Sequence, residues 1–468
     1  MIEGLKPYAQ SKLKPMVRTS AINIPWLTVI PAHWQVVRAK GLFTARTERA
    51  RPDDEQLSAT QAYGVIPQKE FERRVGRKVV QITQHLDKRA HVEPDDFVIS
   101  MRSFQGGLER AWARGCIRSS YVVLKPSPKT QVGYFSHLFK SLDYIRALQA
   151  TGNFIRDGQD LNFNNFSLVD LPLPPPDEQA DIAKCLDHAN RKIDGFIRAK
   201  RKLIGLLNEQ KQAIIHRAVT RGLHPNVPLK PSGIPWLGDI PKHWEVRRAK
   251  YLFREVDDRS KDGKETHLAM SQRLGLVPSS MVESAMRSES YAGAKLCQEG
   301  DLVLNRLKAH LGVFALAKQG GVISPDYSVF RKRAAISMEY YESVLKSSAC
   351  RRELRIRAKG LVEGFWRLYT DDFYDIRLPV PPFEEQKEIM SAMTVETAAL
   401  TTAIARTERE IALMQEYRTR LTADLVTGKL DVREAAAKLP EPPTEPTVSN
   451  ADGLDEADIL EETADNDT

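Results

Sequence analysis

One stretch of this chain occurs twice, and that duplication limits the possible folds more than any other feature. Residues 161–223 lie over residues 368–430 at a constant shift of 207, with LPLPPPDEQ at Leu171–Gln179 answering LPVPPFEEQ at Leu378–Gln386. A proline cluster can continue neither a ladder nor a helix interior, so it ends the element before it. Asp177, Glu178, Glu384 and Glu385 then fall in a first helical turn, where carboxylates meet the positive end of the helix dipole. Eight apolar pairs follow: Ile182/Ile389, Leu186/Met393, Ile193/Leu400, Ile197/Ile404, Ile204/Ile411, Leu207/Met414, Ile214/Leu421 and Ala218/Leu425. Their steps of three, four and seven residues draw one stripe along a helix of roughly 60 Å. Gly222 and Gly428 stand where helix-ending glycines belong. So long a helix with a single apolar stripe needs a partner, and its own copy is the obvious one, paired as a coiled coil.

The rest of the chain repeats as well. Ile24–Phe43 matches Ile234–Phe253 at 14 of 20 positions, Gly115–Val123 aligns with Gly321–Val329, and Tyr134–Leu142 aligns with Tyr340–Ser348. The middle blocks, about 45–160 and 255–367, share only a skeleton of short β-runs such as Lys78–Gln84, Phe97–Met101 and Tyr121–Leu124. The expected class is α+β: two tandem pseudo-symmetric halves, each a mixed α/β domain followed by a long helix, the helices pairing antiparallel. The expected boundaries are an N-terminal segment 1–23, a first domain 24–175, a central helix 176–222 and a linker 223–233. A second domain 234–381, a distal helix 382–430 and an acidic disordered tail 431–468 complete the chain.

Composition narrows the chemistry. Residues 434–468 hold eleven acidic side chains and one basic, leaving 68 basic against 50 acidic in residues 1–433, a net +18. A body so charged suits a polyanion such as double-stranded DNA. Cys116, Cys185, Cys297 and Cys350 are widely spaced and form no CxxC pair, which fits a reducing cytoplasm and neither a disulfide frame nor a zinc ribbon. No signal peptide or membrane span is evident. There is no GxxxxGK[ST] phosphate loop, no Asn-Pro-Pro-aromatic run and no HExxH, so the chain reads as non-enzymatic, without cofactor or metal of its own. Asp95-Asp96 and Glu384-Glu385 read as a strand start and a helix N-terminus rather than metal ligands.

The Ser232–Phe253 segment, the LPxPPxxEQ helix entries, the VTGKLDVR exit at Val426–Arg433, the MRSFQGG run at Met101–Gly107 and the RDGQDLNFNNF run at Arg156–Phe166 resemble the specificity subunit of type I restriction–modification systems. The likeness covers about residues 20–433, in order and in both halves. It implies two target-recognition domains, each reading half of a bipartite DNA sequence, on an antiparallel coiled coil that sets the gap and docks two modification (methyltransferase) subunits. It also implies that S-adenosylmethionine, ATP and Mg are bound by those subunits and by restriction/translocase subunits. Such a protein works in the bacterial or archaeal cytoplasm, directing host DNA methylation and restriction of phage DNA. The rival from another class is a non-catalytic coiled-coil scaffold whose globular domains bind protein.

Base edges are read by side chains able to pair twice, chiefly Arg or Lys on guanine and Asn or Gln on adenine. The candidates are Gln61, Arg102, Ser103, Gln105, Arg118, Ser119 and Tyr121 in the first half. In the second they are Gln272, Arg273, Asn305, Arg306, Lys308 and Tyr327. Gly106-Gly107 is expected to let backbone approach phosphate closely. The matched pairs Gln61/Gln272 and Tyr121/Tyr327 suit structure or phosphate, because readers of different half-sites should differ. Trp26/Trp236 and Trp34/Trp244 suit packing for the same reason.

Overall fold

The computed structural model describes residues 4–9, 12–15, 26–76, 78–79, 88–100, 103–152, 161–272, 274–282, 291–360 and 366–440. The chain divides into two compact units that are not simply its two halves: Met1–Arg201 with Arg409–Thr468, and Lys202–Glu408. Each long helix, Pro176–Arg221 and Phe383–Val426, therefore runs through both units.

In the first unit an antiparallel sheet has the strand order Glu109–Arg110, Phe97–Ile99, Val122–Pro126, Phe43–Ala45. The second unit repeats it with Phe314–Leu316, Leu302–Asn305, Tyr327–Lys332 and Phe253–Val256. Smaller pairs repeat too: the hairpins Leu57–Thr60/Gly64–Pro67 and Leu268–Ser271/Gly275–Pro278, and the ladders Gln35–Arg38/Asp170–Leu173 and Glu245–Arg248/Arg377–Val380. Trp34 and Trp244 are 1% and 0% exposed and belong to the two main cores, which bears out packing. The strand expected over Lys78–Gln84 lies mostly outside the described residues.

The stripe on the long helices folds as the periodicity requires: none of its sixteen residues is exposed. Within the first unit Arg418 is paired with Asp194, and Lys200 with Glu410 at 2.7 Å. Within the second, Lys211 donates to Thr401 at 2.9 Å and Arg217 to Glu396 at 3.1 Å. Partner numbers fall on one helix as they rise on the other, so the pairing is antiparallel. The matched glutamines lock the helix entries. Gln179 accepts from Gln131 N and donates to Pro174 O, while Gln386 accepts from Ser337 N and donates to Pro381 O, all at 2.8–2.9 Å. Both side chains are almost fully buried, where an unpaired amide would be costly.

The C-terminal end of each long helix seats in a domain core. Tyr134 donates to Val426 O at 2.9 Å in the first unit, and Tyr340 to Val219 O at 3.0 Å in the second. Each helix then stops on a left-handed glycine, Gly222 and Gly428, both at φ 72°. A Cβ on Gly428 would come within 2.4 Å of Pro31 and 2.9 Å of Trp34, whereas one on Gly222 would meet nothing closer than 3.3 Å. Gly428→Ala is therefore expected to cost about 1–3 kcal/mol, with Gly222→Ala at the low end of that range. Paired thermal denaturation curves check this; equal shifts for the two variants would contradict the packing argument.

Two expected boundaries move. The acidic segment placed at 431–468 begins with a helix, Arg433–Ala437, and Val432, Ala435 and Ala436 are 0–1% exposed in the first core. Three small apolar residues at helical spacing outweigh the charge around them, so the segment just after residue 431 packs with the first unit. The segment placed apart at 1–23 also belongs to the first unit: Lys6–Pro7 pairs with Leu430–Asp431, and Leu13–Pro15 pairs with Val29–Pro31.

Candidate nucleic-acid interface

The described candidate readers lie where strands finish and turns begin. In the first unit Val122 pairs with Ile99, which sets Tyr121 opposite Ser100 beyond the last paired residues. Gln61 occupies the hairpin turn between Leu57–Thr60 and Gly64–Pro67. A Cβ on Gly106 would lie 2.2 Å from the Gln61 carboxamide, and one on Gly107 only 1.9 Å from the Phe139 carbonyl. The close approaches expected of these glycines are thus made within the protein, bringing the Gln61 turn onto the Ser103–Gly106 turn. Gln105 and Ser119 are exposed, and Arg118 and Tyr121 are half-buried. Ser103 is 0% exposed and its hydroxyl accepts from Ser100 N at 2.9 Å, so it forms the turn and offers nothing to a ligand.

The second unit places Asn305 opposite Tyr327 at the same strand ends. Asn305 Oδ1 accepts from Leu307 N at 3.0 Å and Lys308 N at 3.3 Å, folding the turn that presents Lys308. Arg306 donates to Asp326 O at 2.9 Å and Pro325 O at 3.1 Å, and Arg367 donates to Asp326 Oδ1 at 2.9 Å. Arg306 therefore clamps the loop at its own site. Beneath it Lys295, 8% exposed, donates to Tyr327 O at 2.9 Å. Burial holds the Lys295 ammonium below its ordinary pKa and pushes the Tyr327 hydroxyl up. Gln272 and Lys308 are exposed, while Arg102 and Arg273 lie outside the described residues. Sequence reasoning missed Asp326 and Lys295; the only available signal was the run Ser324-Pro325-Asp326-Tyr327, which departs from Arg118–Tyr121 in the first half.

Among the described residues no group of three or more His, Cys, Asp or Glu could hold a metal. All four cysteines are buried with thiol pKa values pushed up, Cys185 to about 12 and Cys297 to about 11, which is the reverse of an activated nucleophile. Glu178 and Glu385, at the helix entries, bind His33 at 2.7 Å and His243 at 2.8 Å. No helix among the described residues is long and apolar enough to cross a membrane.

No family model matches the chain. It is 24% identical over 425 residues to the type I restriction enzyme MjaVIII specificity subunit of Methanocaldococcus jannaschii, covering 86% of this chain and 94% of that one. This chain resembles a type I specificity subunit. The EcoKI specificity subunit of Escherichia coli is also 24% identical, over 393 residues covering 75% of this chain and 82% of that protein. A chain from a solved structure concerning assembly and conformational transition of the type I R-M system superposes with a TM-score of 0.57 at 14% identity. It covers 86% of this chain and 99% of its own length. The two duplicated halves and the paired long helices described above thus belong to a fold shared with a chain of that type I R-M structure.

Proposed function

We propose that this protein is the DNA sequence-specificity subunit of a type I restriction–modification complex, not itself an enzyme. Each unit reads one half of a bipartite target, and the helix pair sets the gap and docks two methyltransferase subunits. S-adenosylmethionine, ATP and Mg bind the methyltransferase and restriction/translocase partners. The observation that supports this most is the pattern inside the duplication, joined to the likeness to specificity subunits along most of the chain. What the halves share is the scaffold: helix entries, glycine stops and buried tryptophans. What they do not share is the strand-end chemistry, Ser100 and Arg118–Ser120 against Asn305 and Ser324–Asp326. Two copies of one scaffold carrying different polar tips suit two different half-sites. Docking of protein on the helices is supported by exposed apolar side chains there, among them Leu206 at 54%, Val395 at 74% and Leu413 at 53%.

The test is methyl mapping. The chain is co-expressed with its methyltransferase subunit and host DNA is sequenced for N6-methyladenine. The expected result is one motif of two short half-sites with a fixed gap, lost when this chain is omitted. Methylation that persists without the chain, or none from a purified complex, would favour a protein-binding scaffold instead.

A further inference from the structure

The six tryptophans fall into two groups. Trp26/Trp236 and Trp34/Trp244 are matched between the halves and pack within them. Trp112 and Trp366 have no counterpart, and each carries a guanidinium on its ring: Arg110 at 4.2 Å and Arg355 at 3.9 Å from the ring centroid. Stacking on indole fixes the plane of a guanidinium while leaving its N–H edge available for bidentate bonding. The two sites differ in what that edge meets. Arg110 donates to Asp95 at 2.9 Å, whereas Arg355 has no carboxylate partner among the described residues.

Arg355 belongs to the helix Ser348–Arg357, capped by the Ser347 hydroxyl and buried along Ala349, Cys350 and Leu354. Its solvent face is Ser348, Arg352, Arg355 and Ile356, continued past the helix end by Lys359. That face carries cations and no acid. Glu353, to one side, is held by Arg357 at 2.7 Å, and Lys359 is held by Asp372 at 2.7 Å. Among these cations Ile356 is 79% exposed, the highest value of any large apolar side chain described. The helix adjoins the candidate interface through backbone bonds. Lys359 and Arg367 exchange them at 2.8–2.9 Å, and Leu368 N donates to Arg306 O at 2.9 Å. In the first half the positions of Arg352, Arg355 and Ile356 are taken by Arg146, Gln149 and Ala150, and Gln149 is spent on Phe104 O at 2.6 Å. The two halves therefore differ at this face in the residues able to meet a base.

We propose that the Ser348–Arg357 helix is a further base-reading element of the second unit, beside the strand ends, and enters the major groove of duplex DNA. Arg355, pinned by Trp366, donates both N–H groups to O6 and N7 of a guanine. Ile356 packs on the methyl of a neighbouring thymine, and Arg352 lies against phosphate. An α-helix about 10–12 Å across fits a groove about 12 Å wide. The inference rests on the DNA-recognition reading above and names the residues that carry it.

The experiment uses the full chain in complex with the methyltransferase subunit and a duplex bearing the mapped motif. Binding is measured for each single base-pair variant and for deoxyuridine in place of each thymidine, which removes only the methyl. Arg355→Lys is expected to lose tenfold or more in discrimination at one G·C pair while binding to unrelated DNA is unchanged. Ile356→Ala is expected to abolish the effect of one deoxyuridine substitution. Arg352→Gln should weaken all duplexes alike and lower the salt slope by about one. All these side chains are at the surface, so thermal stability should hold, and circular dichroism verifies it. Wild-type discrimination retained in Arg355→Lys and Ile356→Ala, or a loss spread evenly over every sequence, overturns the assignment. Absence of any sequence preference in the wild-type complex instead overturns the DNA-recognition reading itself.

Discussion

Exchanging residues 45–160 for the corresponding block of a type I specificity subunit is expected to replace one half of the methylated motif, leaving the other half and the gap unchanged. Residues 43–45, 97–99, 109–110 and 122–126 form one four-stranded sheet in the first unit, and the hairpin turn at Gln61 rests on that same block. The graft must also respect contacts that leave the block. Gln131 N donates to Gln179, Tyr134 donates to Val426 O, and His137 pairs with Asp187 at 2.8 Å. A donor with tyrosine at position 134 and an open backbone N–H at 131 keeps the helix ends seated; one without them loses stability rather than specificity. Specific protein–DNA binding exceeds non-specific binding by about 10³-fold or more. Methylation at the original half-site should therefore drop below detection in a methylome. A folded chimera that alters both halves of the motif would show that the units do not read independently.

What could be read in the sequence was local or periodic. The long helices announced themselves because proline punctuation, an apolar stripe and terminal glycines act within a few residues of one another. The duplication then extended each reading to a second copy. Long-range closure left no such trace. Nothing near Val432, Ala435 and Ala436 says that they complete a core begun at Ile30, or that Lys6–Pro7 pairs with Leu430–Asp431. Among the candidate readers, residue type alone could not separate groups spent internally, such as Ser103 and Arg306, from exposed ones such as Gln105 and Lys308. A turn needs its own polar side chains, and the same few residue types serve both turns and bases. Arg355 was passed over because its qualification is the ring of Trp366 beneath it, which sequence does not place there.

Asp96→Ala is expected to be the most damaging single substitution for folding, costing the first unit about 3–5 kcal/mol. Asp96 is 1% exposed, accepts from Arg46 Nε at 2.8 Å and Nη2 at 3.0 Å, and also accepts from Glu93 N at 2.9 Å. Burial pushes its pKa up, and Arg46 pulls it back. The Arg46 side chain is itself only 8% exposed, so truncating Asp96 leaves a guanidinium buried beside Glu48 alone, its other partner. The second unit provides the control. Asp301 occupies the matched position and binds Arg331 at 2.7 and 2.9 Å, yet the Arg331 side chain is 24% exposed and keeps Asp258 at 3.2 Å. Asp301→Ala should therefore cost less, about 1–3 kcal/mol. Hydrogen exchange at Phe97–Ile99 and Leu302–Asn305 reports the two units separately. The double variant Asp96→Ala/Arg46→Met, which removes the stranded charge, should recover part of the loss. Equal losses for the two single variants, or no recovery in the double variant, would show that the penalty does not come from a stranded charge.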